Sequence, residues 1–238
     1  MSTLAAARAA DGTPVSLPDG RRVRGQFFGQ SSFSELAIVD VRSVVKFAGA
    51  ENDLSFLARL GCGYMTGAGT IFNVLRPPAT SALVVLGLGA VGLAALELAR
   101  SLGVRHVINS QQGDIAKSTC TRYPDGVGYI VDTTGSTSLI TSGIKAPGHS
   151  GTLAVVGVSA PGTRTEIDPV DLLISCKRAI GVILGSADLQ QLLPRLVKLV
   201  RPDEFPVRRL SKVYAAQDID QAVADMEEGL TVKPVLAW

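Results

Sequence analysis

Three glycines in Gly87-Leu88-Gly89-Ala90-Val91-Gly92 stand at the spacing with which a chain cradles a pyrophosphate. Each has a separate task. Gly87 permits the tight turn, Gly89 lets a phosphate approach the backbone, and Gly92 lets the following helix pack close to the preceding strand. The flanks suit that purpose. Ser81 to Leu86 is an uncharged run rich in β-branched residues. Val91, Ala94, Ala95, Leu98, Ala99 and Leu102 then recur at helical spacing. Strand, glycine turn and helix together form a phosphate site, because the first N–H groups of a helix are unpaired and carry partial positive charge. A dinucleotide site of this kind expects a carboxylate about 20 residues further on, to hold a ribose hydroxyl. Here that stretch reads Val104-Arg-His-Val-Ile-Asn-Ser110, and Asp114 follows only after it. The cradle is present and the ribose clamp is absent or displaced.

Few other residues offer chemistry. Cys62, Cys120 and Cys176 are far apart and form no C-x-x-C pair, so a disulfide framework is not expected and a reducing, cytoplasmic setting is. Cys120 and Cys176 fall in helical patterns and read as small core residues. Cys62 reads as a partly buried free thiol. The chain has two histidines, His106 in a strand pattern and His149 in the loop-like Pro147-Gly-His-Ser-Gly151. Neither has a partner in sequence that would make it an acid or base. Asp132, in Val-Asp-Thr-Thr-Gly135, ends a strand and reads as a turn-capping carboxylate.

The elements that must position these residues alternate. Strands are predicted at Ala82 to Leu86, Arg105 to Ile108, Gly128 to Val131, Thr152 to Val158 and Ala179 to Leu184. Helices are predicted at Ala90 to Leu102, Asp114 to Arg122 and Ser136 to Ile144, with a further one capped by Asp168 and opened by Pro169. Such alternation specifies a parallel sheet covered by helices. Upstream, strands are predicted at Val23 to Phe28 and from Ser34 to Phe47, and helices from Asn52 to Leu60 and after Gly61. Downstream, Asp188 to Val200 and the Ile219, Val223, Met226 stripe read as amphipathic helices, and Val235 to Trp238 as a last strand.

Composition narrows the function classes. Hydrophobic residues make up 46% and charged residues 18%, enough apolar material for a sizeable core. A net charge of +2, with lysine and arginine scattered, excludes a nucleic-acid surface. Pro77 to Leu96 is uncharged and long enough to span a membrane. Its structure breakers and central glycines make a buried strand, turn and helix the better reading.

Six segments in order carry a family resemblance: GQSSFSELAIVDVRSVVKF, LGCGYMTGAGTIFNVLRPP, VVLGLGAVGLAALELARSLG, GVGYIVDTTG, GTLAVVGV and TVKPVL. From about Phe27 to Trp238 the chain resembles the zinc-containing medium-chain alcohol dehydrogenases, nearest the aryl- or benzyl-alcohol branch. The resemblance implies an α/β fold, a Rossmann-type doubly wound parallel sheet with remnants of a GroES-like catalytic domain. It places a remnant of that domain at 1–63, the dinucleotide-binding domain at 64–185, and a return to the catalytic remnant at 186–238. It implies NAD or NADP as cofactor, a primary alcohol, aryl in the branch it is nearest, and its aldehyde as substrates, and a homodimer joined through the strand near Ile180 to Leu184.

Site residues follow only where the motifs match. Gly87, Gly89, Ala90, Val91 and Gly92 fall on the pyrophosphate turn. Thr66 falls beside the nicotinamide, Val156 to Val158 where backbone groups hold its carboxamide, and Lys233 where a basic residue reaches the pyrophosphate. Cys62 matches one of three protein ligands of the family's catalytic zinc. The chain departs from the pattern in two places. It lacks the barrel with the Gly-His-Glu histidine, the other ligating cysteine and the four-cysteine structural lobe, so zinc is not expected to be retained. Between Leu102 and Arg105 about one βα unit is missing. The resemblance therefore implies an alcohol dehydrogenase-like oxidoreductase, and the departures leave a truncated, non-catalytic nucleotide-binding or dimerisation module as the alternative.

Overall fold

The computed structural model describes residues 16–21, 33, 35–37, 39–47, 49, 54–104, 115–200 and 211–238. The strands predicted at Val23 to Phe28 and Arg105 to Ile108 lie outside them, as does His106.

The helices are α1 (Leu54–Leu57), α2 (Gly63–Gly69), α3 (Ala90–Ser101), α4 (Ile115–Arg122), α5 (Thr137–Lys145), α6 (Pro169–Ile174), α7 (Leu189–Val200) and α8 (Ile219–Glu227). The strands are β1 (Leu83–Leu86), β2 (Val127–Asp132), β3 (Pro147–Val155), β4 (Arg178–Gly181), β5 (Val213–Ala215) and β6 (Val235–Ala237).

The first four strands form one parallel sheet in the order β1-β2-β3-β4. All four residues of β1 are buried, as a parallel strand covered on both faces requires. Alternate side chains serve two cores. Leu83 and Val85 pack with Tyr64, Met65, Ala68, Ile71, Leu98 and Leu196 from α2, the segment after it, α3 and α7. Val84 and Leu86 pack with Ile130, Ile140, Ile144 and Leu153 under α5. The sheet is thus covered on both faces, which bears out the doubly wound α/β expectation. β5 and β6 pair in parallel as a separate two-stranded sheet, against which α8 packs.

Local chemistry explains the boundaries. Asp168 caps α6, its carboxylate accepting from the N–H groups of Val170 and Asp171, with Pro169 in the first turn. Gly92, Ala94, Ala95, Leu98 and Ala99 give α3 its buried stripe, whereas Val91 is half-buried and Leu102 exposed. Pro77 to Leu96 resolves into a loop, β1, the glycine turn and part of α3, and no helix among the described residues is long and apolar enough to cross a membrane.

Several expectations are corrected. Residues 44–47 form no strand, and Val41–Ser43 is a 3-10 turn capped by Asp40. β3 begins at Pro147, so His149 lies in a strand and not a loop, while Val156 to Val158 lie beyond the strand's end. β4 stops at Gly181, and Leu184 sits in a tight turn instead of a strand. Cys62, Cys120 and Cys176 are all exposed. Helical spacing shows which positions share a face, but it leaves open whether that face is covered.

Candidate cofactor cleft

The glycine turn is built as its sequence requires. Gly87 leaves β1 at φ +90°, and a Cβ there would meet Thr133 Oγ1 at 2.6 Å. A Cβ on Gly92 would lie 1.9 Å from the Gly87 carbonyl oxygen. Both glycines are demanded by the fold. Gly89 is different. Its backbone is extended, it stands at the N-cap of α3, and a Cβ there would meet nothing within 4 Å. Among the described residues no packing excludes a side chain at Gly89, which leaves the space in front of it open to a ligand. No side chain among the described residues caps the α3 N-terminus either. An open surface before uncapped helix N–H groups suits a pyrophosphate.

The loops after β2 and β3 close around this turn. Thr133 donates its N–H and hydroxyl to the Leu86 carbonyl, each at 2.9 Å. Asp132 is fully buried. Its carboxylate accepts from the Thr134 hydroxyl at 2.6 Å, the Thr134 N–H at 3.1 Å and the Gly135 N–H at 3.2 Å. That is the turn-capping role. The Asp132 carbonyl accepts from the N–H groups of Val156 and Gly157, and Ser159 donates to the Gly135 carbonyl. The side chain of Val158 is 92% exposed. Gly87 to Gly92 and Val156 to Val158 therefore sit at the same, C-terminal edge of the sheet, where ligands bind in open α/β folds.

α2 brings Cys62 and Thr66 to that edge. A Cβ on Gly67 would lie 2.1 Å from the Val91 carbonyl oxygen, and one on Gly63 would lie 3.5 Å from the Ala90 Cβ. The two helices cross with almost no side chain between them, so the α2 N-terminus lies against that of α3. Thr66 donates its hydroxyl to the Cys62 carbonyl at 2.8 Å and is nearly buried. Lys233 lies between α8 and β6 and is half-buried, with no hydrogen bond tying it to the glycine turn among the described residues.

The turn Leu184–Ser186 escaped the sequence reading. Gly185 packs on α2, where a Cβ would fall 2.7 Å from the Met65 carbonyl oxygen and 3.0 Å from that of Thr66. Only Gly185 hinted at a turn within an otherwise strand-like apolar run.

The zinc donor set does not gather. Catalytic zinc needs three protein ligands. Among the described residues no three His, Cys, Asp or Glu side chains group closely enough to hold a metal ion. Cys62 lies at the C-terminal edge of the sheet. His149, near the start of β3, and Cys176, two residues before β4, lie at the opposite edge, where the Ser150 N–H meets the Ser175 carbonyl. Strands rising about 3.3 Å per residue separate the two edges.

Comparison with known proteins bears on the same elements. A family model described as zinc-binding dehydrogenase matches residues 88–198. A geraniol dehydrogenase from Castellaniella defragrans is 32% identical over 254 residues, covering 98% of this chain and 68% of the relative. That alignment is longer than the 238-residue chain, so the relative has residues that this chain lacks within the matched region. A solved alcohol dehydrogenase zinc-binding domain protein from Burkholderia ambifaria superposes with a TM-score of 0.86 at 34% identity, covering 96% of this chain and 68% of that one. Benzyl alcohol dehydrogenase from Acinetobacter calcoaceticus gives 0.82 at 34% identity, covering 93% and 67%. The chain spans about two thirds of these proteins. With the glycine turn, the doubly wound sheet and these matches in agreement, the chain belongs to the zinc-binding, medium-chain alcohol dehydrogenase family.

Proposed function

We propose that the chain is an alcohol dehydrogenase-like oxidoreductase, linked to NAD or NADP, that interconverts a primary alcohol and its aldehyde, with aryl alcohols the first class to test. The observation that carries this reading is the open space before Gly89, set between two glycines that the fold itself demands. The backbone of Gly89, Ala90, Val91 and Gly92 would hold the pyrophosphate. Thr66, Val156 and Val158 would frame the nicotinamide, and Lys233 would add positive charge from the flank. A bound nicotinamide would supply the hydride acceptor or donor. The protein's part is to orient it at the sheet edge and to shield one of its faces with α2. Relatives named for geraniol and benzyl alcohol support a primary alcohol as substrate.

Zinc, which the family name implies, finds one soft donor at this edge, Cys62, as a remnant ligand. The second reading, a truncated, non-catalytic nucleotide-binding or dimerisation module, rests on this shortfall among the described residues. A homodimer belongs to either reading. β4 is an edge strand with all four residues exposed. The nearby α6 carries Val170, Leu173 and Ile174 at 60%, 76% and 70% exposure, an apolar surface suited to association.

Titrating the purified chain with NADH and NADPH by nicotinamide fluorescence tests the cradle, and alcohol-dependent NADH formation tests the reaction. Saturable binding with alcohol-dependent turnover establishes the enzyme reading. Binding without turnover on any alcohol leaves the module reading, and no binding of either dinucleotide removes both nucleotide readings.

A further inference from the structure

Leu184, Gly185 and Ser186 have φ values of +48°, +67° and +47°, three left-handed residues in succession. Glycine enters that region freely, but leucine and serine do so at a cost, so the turn persists only if its surroundings impose it. Besides the packing of Gly185 on Gly69, the turn is held by the side chain of Asn73. Its Nδ2 donates to the Gly185 carbonyl at 3.0 Å and to the Ser186 carbonyl at 3.4 Å. Asn73 belongs to a second unusual segment, the π-helix Thr70–Leu75, which closes with an Arg76 N–H to Ile71 carbonyl bond of 2.9 Å and a left-handed Arg76 at φ +46°. π-helical turns are rare and concentrate near functional sites. Two sparsely populated backbone conformations are thus joined through one amide.

What they meet gives the joint its significance. The turn follows β4, whose continuation binds β3 through the Val182 N–H and Val155 carbonyl at 2.9 Å. β3 leads directly into Val156 to Val158. On its other side the turn abuts the Thr66 carbonyl. The two places assigned above to the nicotinamide therefore converge on Leu184–Ser186, away from the glycine turn that holds the pyrophosphate.

We infer that Asn73 is a positioning residue: by holding the left-handed turn Leu184–Ser186 against Thr66, it sets the nicotinamide end of the cleft without touching the cofactor. The inference rests on the dinucleotide-binding reading. Its test compares NADH with ADP-ribose, which keeps the pyrophosphate and lacks the nicotinamide. Fluorescence and calorimetric titrations are run on the wild-type chain, on Asn73→Ala, and on Asn73→Asp, which keeps the size and replaces the donor with a carboxylate facing two carbonyls. For the variants, NADH binding should weaken by about tenfold while ADP-ribose binding stays within about twofold. Equal weakening of both ligands, no weakening of either, or failure of both variants to fold would overturn the positioning role and leave a purely structural asparagine. A wild-type chain that binds neither ligand overturns the dinucleotide reading itself, a result distinct from the other three.

Discussion

The glycine turn and the β5–β6 flank hold themselves together by opposite means. At the turn, backbone meets backbone: Gly92 against Gly87, Gly67 against Val91, Gly185 against Gly69. Neutral hydroxyls and the Asp132 turn cap tie the neighbouring loops to it, with no ion pair among the described residues. At the flank, polar side chains make the joint. The buried Asp225 carboxylate accepts from the Tyr214 hydroxyl at 2.6 Å, Lys212 Nζ at 2.8 Å and Gln221 Nε2 at 2.6 Å. Those donors, Lys212 foremost, hold its pKa down to about 2. Around that joint Val223, Met226, Leu230 and Trp238 remain substantially exposed. The first region is specified by shape and tolerates no added atoms at Gly87, Gly92, Gly67 or Gly185, with Gly89 the exception. The second is specified by charge and is sensitive to pH.

Breaking this contrast should produce its largest effect at Gly92. Gly92→Val places a side chain into the Gly87 carbonyl, and urea denaturation should show a loss of about 3 kcal/mol or more, or no folded protein. Gly89→Val separates binding from folding within the same motif. Its stability should stay within about 0.5 kcal/mol of wild type while NADH affinity falls by about tenfold or more. Equal destabilisation by the two variants would show that Gly89 is also a packing glycine.

A smaller effect is expected at the flank. The Asp225 pKa is depressed, so its stabilising contribution is complete above the unfolded carboxylate value of about 3.9 and is lost as pH falls toward about 2. Thermal melts between those limits should show wild type losing stability and Asp225→Asn changing less, from a lower starting point at neutral pH. NADH affinity at neutral pH should be the same for both. The smallest effect is that of chelator on cofactor binding. The donor set predicts well under one zinc per chain by mass spectrometry and an unchanged NADH affinity in EDTA; one zinc per chain, lost in Cys62→Ser, would restore a metal site to the cleft.

Much of the cleft was legible in the sequence, because its parts are local. The apolar run, the glycine spacing and the helical stripe lie within about twenty consecutive residues and each constrains its neighbours. Asp132 as a turn cap was legible for the same reason, since its partners are the next residues but one and two. His149 was misplaced because a Pro-Gly-His-Ser-Gly stretch carries turn chemistry, yet parallel pairing from Val127 to Pro147 and from Tyr129 to Thr152 draws it into β3 around a register shift. The cysteines were misplaced because periodicity does not reveal which faces are covered.

The sequence by itself determined the doubly wound α/β class, the strand–glycine turn–helix unit and the family, since each rests on short-range spacing and on ordered segments. Tertiary structure alone decided that Gly89 differs from Gly87 and Gly92, because only the packed neighbours show where a Cβ would collide and where space is left. It alone separated Cys62 from His149 and Cys176 across the sheet. It alone produced the left-handed turn at Leu184–Ser186, whose cost is borne by contacts from residues more than a hundred positions away in the chain. Contacts at that separation depend on where the chain returns in space, and local spacing does not specify that.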